Sequence, residues 1–231
     1  MPTIPSGEIY YETHGSGTPV LLVAGLGGVG SYWAPNIPAF SARHQAIVHD
    51  HRGTGDSARS RISYSVDQMT DDLVAVMDHL KIERAHLVGH STGGAIGQTL
   101  AAKHPERLIS LTIYASWTKC DPFFRRVFEA RRALLTLGGA GAYSRAASVF
   151  LYPDWWINEN IGQWKSASAL WSRTFRPRRS SQAASTPSSP STAPPIFPTL
   201  GCRRSSSVPR TTSSRHLISA TSSRASSPMP R

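Results

Sequence analysis

Four short apolar runs, each broken off by glycine or a polar turn, constrain this chain more than any other feature. Pro19-Val-Leu-Leu-Val23 stops at Gly25-Leu-Gly-Gly28, and Gln45-Ala-Ile-Val48 runs into His49-Asp-His-Arg-Gly-Thr-Gly-Asp-Ser57. Ala85-His-Leu-Val88 meets Gly89, and Leu108 to Tyr114 carries β-branched Ile109, Thr112 and Ile113. Continuous apolar runs of this length suit strands buried on both faces. Between the second and third runs, Met69, Leu73, Val76, Met77 and Leu80 recur at three- and four-residue steps, which makes one apolar face of a helix over 67–80. Residues 93–104 read as a second helix, with Ile96, Leu100 and Ala101 on one side and Pro105 just past its end. Residues 7–14 alternate loosely, as an edge strand does, and 33–40 read as a short helix or turn. Strand and helix in this rhythm predict βαβ crossovers and a parallel sheet covered on both faces, an α/β fold.

From residue 121 to about 170 the strand pattern ceases. Residues 123–137 and 141–150 look helical, followed by Trp155, Trp156, Trp164 and Trp171. A helical excursion after a strand of a parallel sheet is read as a lid over a site at the strands' C-terminal ends. The plainer alternative is a packed helical layer with no role at the site.

The chain has 231 residues, room for one domain of moderate size. Its formal charge of +11 suggests an anionic partner until the chain is divided. All 14 acidic residues lie in positions 1–175 beside 16 basic ones, a balance of +2. Positions 176–231 hold nine Arg and no Lys, Asp or Glu. In those 56 residues 16 are Ser, nine Pro and six Thr, and Phe197 is the one aromatic. Such a segment cannot bury enough apolar surface to offset its ordering entropy, so a disordered tail is expected. Without interleaved aromatics, nucleic acid is not expected as a partner. Three parts follow: a core over 1–120, a helical lid over 121–175 and the tail over 176–231.

Two cysteines, Cys120 and Cys202, supply neither a disulfide framework nor a zinc-site spacing. A reduced, cytoplasmic setting is the expectation. The N-terminal Met1-Pro-Thr-Ile-Pro-Ser-Gly7 has no charged stretch followed by an apolar one, so no signal peptide is expected. No run approaches 18 apolar residues, so no membrane span is expected either.

The chemistry is concentrated at Gly89-His90-Ser91-Thr92-Gly93. This G-x-S-x-G stands between an expected strand and an expected helix, the context that makes the motif informative. At such a turn the serine sits in strained backbone, Gly89 and Gly93 avoid clashes, and the hydroxyl of Ser91 projects toward substrate. The new helix brings N–H groups and its positive dipole end to where an oxyanion would develop. Gly25 to Gly28 follows the first buried strand, where a second backbone donor is expected, and the N–H groups of Leu26 and Thr92 are the candidate oxyanion hole. A phosphate-binding reading of this glycine loop is disfavoured, because no G-x-x-x-x-G-K-[ST] is present.

With these residues in view, the chain over 1–175 resembles the α/β-hydrolase fold family. The glycine loop, Asp50-His-Arg-Gly-Thr-Gly-Asp-Ser57 and the serine turn occur in that family's order. Within it, Ala24-Gly-Leu-Gly-Gly-Val-Gly-Ser-Tyr-Trp33, the Arg52-Gly-Thr-Gly55 turn and Phe150-Leu-Tyr-Pro-Asp-Trp155 resemble the aminoacrylate hydrolases of pyrimidine breakdown. Enol-lactonases and simple esterases are similar too. The resemblance implies hydrolysis of a small acyl, enamine or lactone substrate with no metal and no organic cofactor. It also implies that the turn with Asp50, Arg52, Gly53, Gly55 and Ser57 braces the site. His90 points away from its neighbour Ser91 and is read as a pocket or packing residue, beside Gly25. Trp155 is a candidate for the pocket lining.

A serine needs a general base and an orienting carboxylate. In this fold both follow the serine, from later strands. The last acidic residue here is Glu159, and the one histidine after position 175 is His216. The triad acid and base are therefore unassigned, and a chain impaired in hydrolysis is expected. The Ser/Pro/Arg composition of the tail is what a GC-rich gene yields when read out of frame. Codons for 177–191 and 210–218, shifted by one base, can spell family-like segments. A frameshift near residue 175 is the expectation, with the C-terminal strands of the fold replaced by the tail. The alternative is a non-catalytic binding protein that uses the pocket and the basic tail.

Overall fold

A computed structural model describes residues 3–4, 8–60 and 62–174, with backbone alone for 165–174. The expected tail and the frameshift near residue 175 lie outside the described residues.

Five strands form one sheet: β1 (Tyr11–His14), β2 (Pro19–Val23), β3 (Gln45–His49), β4 (Ala85–His90) and β5 (Leu108–Tyr114). Their spatial order is β1-β3-β2-β4-β5, and β2, β3, β4 and β5 are mutually parallel. Edge strand β1 departs from the expected parallel arrangement and pairs antiparallel with β3, Tyr11 opposite His49. The reason is local. Four residues, Gly15 to Thr18, separate β1 from β2, too few for a crossover helix, so the chain must reverse. Gly15 and Gly17 take the positive φ values of 75° and 105° that this reversal needs.

Helix α1 (Ile37–Ser41) follows a 3₁₀ turn at Gly30–Trp33 on one face of the sheet. There Trp33, Ile37 and Phe40 pack on Val20, Leu22, Ala46 and Val48. The other face carries α2 (Val66–His79) and α3 (Thr92–Lys103). Met69, Leu73, Val76 and Met77 of α2, with Ile96 and Leu100 of α3, bury Leu21, Val23, Ile47 and Leu87. The Ser65 hydroxyl accepts from the Gln68 N–H at 3.0 Å and starts α2. Cover thins at the far edge: Ile109 and Ile113 of β5 remain 42% and 41% exposed. The expectation of a sheet covered on both faces therefore fails at β5.

Helices α4 (Pro122–Leu151) and α5 (Asp154–Thr174) follow. Asp121 caps α4 by accepting from the Phe124 N–H at 2.8 Å, and Pro122 occupies the first turn. Gly139, at φ 71°, breaks α4 into two arms. Among the described residues no helix is long and apolar enough to cross a membrane.

Candidate active site

Strand register determines what meets here. Val23 of β2 lies opposite Gly89 of β4, and His90 lies opposite Tyr114 of β5. The loops leaving these three strands therefore emerge side by side at the C-terminal end of the sheet. Ser91 is the residue between β4 and α3, with φ 52° and ψ −116°. A non-glycine residue held there costs on the order of 1–3 kcal/mol, and surrounding contacts must hold it. They are visible. Its N–H donates to the Tyr114 carbonyl at 3.1 Å, and its carbonyl accepts from Ser116 Oγ at 2.7 Å and the Gly94 N–H at 2.9 Å. A Cβ on Gly89 would strike the Gly93 carbonyl, and one on Gly93 would strike the Val23 carbonyl. Both glycines of the motif are thus required by backbone crowding.

The glycine loop abuts this turn. A Cβ on Gly25 would lie 3.2 Å from Ser91 Cβ and 3.2 Å from His90 Nδ1. Gly28 N–H donates to the Gly25 carbonyl at 2.9 Å, and Gly27 has φ 67°, the signature of a type II turn with glycine at its third position. His51 Nε2 bonds the Ala24 carbonyl at 3.0 Å, and Thr54 Oγ1 donates to the Gly28 carbonyl at 2.9 Å. Leu26 N–H donates to no acceptor among the described residues. Thr92 is the first residue of α3, so its N–H has no acceptor within the helix.

Asp50 and Arg52 hold different things. One Asp50 oxygen accepts from the Gly30 N–H at 2.7 Å and the other from the Asp56 N–H at 2.8 Å. Ser57 Oγ donates to the Asp50 carbonyl at 2.7 Å and accepts from the Tyr10 N–H at 2.9 Å. A Cβ on Gly55 would overlap the Asp50 carboxylate. Burial raises the Asp50 pKa above the usual carboxylate value, against the two N–H bonds that lower it. Arg52 leaves this loop and forks onto Asp72 of α2, with N–O distances of 2.6 and 3.0 Å. It also reaches Glu8 at 2.7 Å. Its bonds to Asp72, then Glu8, raise its pKa further.

His90 is clamped between rings. It stacks on Tyr32 at 5.0 Å and 10° and packs against Tyr114 at 4.8 Å. The two tyrosine hydroxyls meet at 3.0 Å. Burial lowers the His90 pKa, so the ring is neutral, and its Nδ1 has no partner among the described residues. Burial, then the bond to Tyr114, raises the Tyr32 pKa. Burial, then the Tyr32 phenol, raises the pKa of Tyr152 at the end of α4. Tyr152 stacks on Trp156 at 4.0 Å. Trp155, expected in the pocket lining, is instead 59% exposed and turned to solvent. The physical reason is helical phase: of two adjacent tryptophans on α5 one alone can face Tyr152, and it is Trp156.

The residues that sequence reasoning missed are the second partners: His51 under the glycine loop, Asp72 beneath Arg52, Ser116 on the Ser91 carbonyl, and the Tyr32–Tyr114 pair. All lie 20 or more positions from what they support in the chain. Among the described residues Ser91 Oγ has no histidine partner, and no group of three His, Cys, Asp or Glu is arranged to hold a metal ion.

Comparison with known proteins agrees with this architecture. Residues 18–137 match the model of the alpha/beta hydrolase fold. A "Putative carbamate hydrolase RutD" of Azorhizobium caulinodans is 48% identical over 163 residues, covering 70% of this chain and 62% of that protein. A protein of the same name from a Caulobacter species is 45% identical over 157 residues, covering 66% of this chain and 59% of that one. The chain thus spans about three fifths of the length of these curated relatives. The enol-lactonase from Burkholderia xenovorans superposes with a TM-score of 0.61 at 26% identity, over 74% of this chain and 65% of that one. The strand order, the serine turn and these matches together establish that the chain belongs to the alpha/beta hydrolase fold family.

Proposed function

We propose that the chain is built as a serine-nucleophile hydrolase for a small acyl, enamine, lactone or carbamate substrate, of the kind handled by aminoacrylate hydrolases in pyrimidine catabolism. One observation carries the reading: Ser91 stands at positive φ between β4 and α3 with the Gly25 loop against its Cβ. In this reading Ser91 Oγ attacks the substrate carbonyl carbon, and its proton passes to a base. The N–H groups of Leu26 and Thr92 take the oxyanion. The bond to the leaving group then breaks, and water releases the acyl group from Ser91. Helices α4 and α5 act as the lid, with Phe124 of α4 packed on Trp117, the residue after Ser116. A small-molecule substrate and a cytoplasmic setting complete the proposal. The chemistry uses side chains and backbone alone.

The base is the weak link. Ser91 has no histidine partner among the described residues, and beyond residue 174 the sequence offers His216 and no carboxylate. Loss of a triad base typically removes about four to six orders of magnitude in rate. The test pairs a fluorophosphonate label with esterase assays. Ser91 is expected to take the label slowly and Ser91→Ala not at all, while acyl hydrolysis changes little on Ser91→Ala. Labelling that persists in Ser91→Ala refutes the nucleophile assignment. Fast, Ser91-dependent turnover refutes the impaired reading and requires another base.

A further inference from the structure

Arg131 lies on the first arm of α4 and is 7% exposed. A guanidinium withdrawn from water to this extent normally has a carboxylate beside it. Arg131 has none among the described residues, where the cations seen in ion pairs are Arg52, Lys103, Arg107 and two histidines. What surrounds it is aromatic. The guanidinium carbon lies 5.2 Å from the Phe128 ring centroid and 5.4 Å from that of Tyr143. One terminal nitrogen donates to the Tyr143 hydroxyl at 2.5 Å. Its Nε is buried and donates to nothing among the described residues.

Two ring faces and a neutral phenol do not discharge a buried cation. An orphaned Nε is also half of the fork that grips a carboxylate. Phe128 packs on Phe124 and Trp117, and Trp117 follows Ser116, which holds the Ser91 carbonyl. Tyr143 lies on the second arm, past Gly139. Arg131 therefore bridges the two arms of the kinked helix, and the first arm leads on to the serine turn through Phe128 and Trp117.

We infer that Arg131 is an anion-recognition group of the helical layer, which takes the carboxylate of a small acid substrate through its Nε and a terminal N–H. The assignment rests on the reading of α4 and α5 as the lid above Ser91. It assigns recognition of the substrate's carboxylate or carbamate anion to one residue of α4.

The test uses acrylate as a small anionic probe and acrylamide as its neutral isostere, with the full chain. Calorimetric titration gives affinity, and the Nε–H resonance of Arg131 in an arginine-selective ¹H–¹⁵N spectrum reports on the site. Acrylate is expected to move that resonance saturably and acrylamide to leave it in place. Arg131→Gln should weaken acrylate binding about tenfold or more, and Arg131→Lys should keep part of the affinity. Should Arg131→Gln fail to fold, the lysine variant and the wild-type spectrum decide. An unmoved resonance, equal binding of acrylamide, or unchanged affinity in both variants overturns the inference. Fluorophosphonate labelling in the same samples separates the two readings. Ser91 labelled without acrylate binding defeats the Arg131 assignment alone. Acrylate bound at Arg131 with Ser91 inert defeats the hydrolase reading alone.

Discussion

The fork between Arg52 and Asp72 gives a prediction whose sign is unusual. Both side chains are 6% exposed, and the pair closes at 2.6 Å. It ties the loop after β3 to the middle of α2, and Glu8, 42% exposed, adds the N-terminal segment. Removing one buried partner leaves the other charged and unmatched, which costs about 3–5 kcal/mol. In a chain of this size that corresponds to a fall in Tm of about 6–20 °C. Arg52→Met and Asp72→Leu should each show it. The double variant removes both charges, and Glu8 is exposed enough to be solvated without Arg52. It should therefore be more stable than either single variant, with a coupling of about 2–3 kcal/mol in the double-mutant cycle. Urea unfolding of the four proteins, with m-values compared, measures this. Additive losses refute the reasoning, because they would mean that neither charge depends on the other. Arg52→Lys should fall between, since the ammonium keeps the charge and loses the fork.

Other predictions follow from single contacts. Gly93→Ala places a methyl group on the Val23 carbonyl and should cost about 3 kcal/mol or prevent folding. Gly162→Ala, whose added methyl group would meet nothing within 4 Å on exposed helix, should instead stabilise by about 0.5–1 kcal/mol; thermal melts of the pair check both. His49 is fully buried, which lowers its pKa to about 3. Below about pH 6.5 the unfolded chain therefore binds a proton that the folded chain refuses, and stability falls by up to about 1.4 kcal/mol per pH unit on acidification until pH 3. Urea midpoints between pH 7 and 4 should show that slope, and His49→Phe should reduce it, the rest coming from His51 and His90, whose pKa values burial also lowers. Leu26→Pro keeps the type II turn, where proline suits the second position, and deletes the N–H. Fluorophosphonate labelling of Ser91 should slow by about a hundredfold with the fold intact by circular dichroism. A DNA read across codons 165–231 with an intact mass tests the frameshift: a one-base change there supports it, and a matching frame and mass refutes it.

Much of the sheet was legible because a strand buried on both faces leaves a continuous apolar run. Pro19 to Val23 is both the expected run and the observed β2, buried from Val20 on. The serine turn was legible because its glycines answer local backbone crowding that a five-residue motif records. What could not be read depends on distance in the chain. Strand alternation does not encode direction, so β1 gave no sign that it would run antiparallel to β3. Asp72 reads as one more polar position on α2 until the fold brings Arg52 to it. Adjacent Trp155 and Trp156 look equivalent in sequence, and helix phase alone sends one to Tyr152 and the other to solvent.

The serine turn is bolted to β5, the outermost strand on that side among the described residues. The Ser91 N–H hangs on the Tyr114 carbonyl, and its carbonyl is gripped by Ser116, two residues further on. Strand β5 pairs with β4 alone among the described residues, and Ile109 and Ile113 face outward from it. The nucleophile thus inherits the looseness of the rim. Fraying of β5, which local-opening energetics place at the low end of stability, would let Ser91 relax from its strained dihedral before the core notices. Reactivity at Ser91 is then a gauge of edge integrity, and it should fade on warming ahead of the bulk unfolding transition.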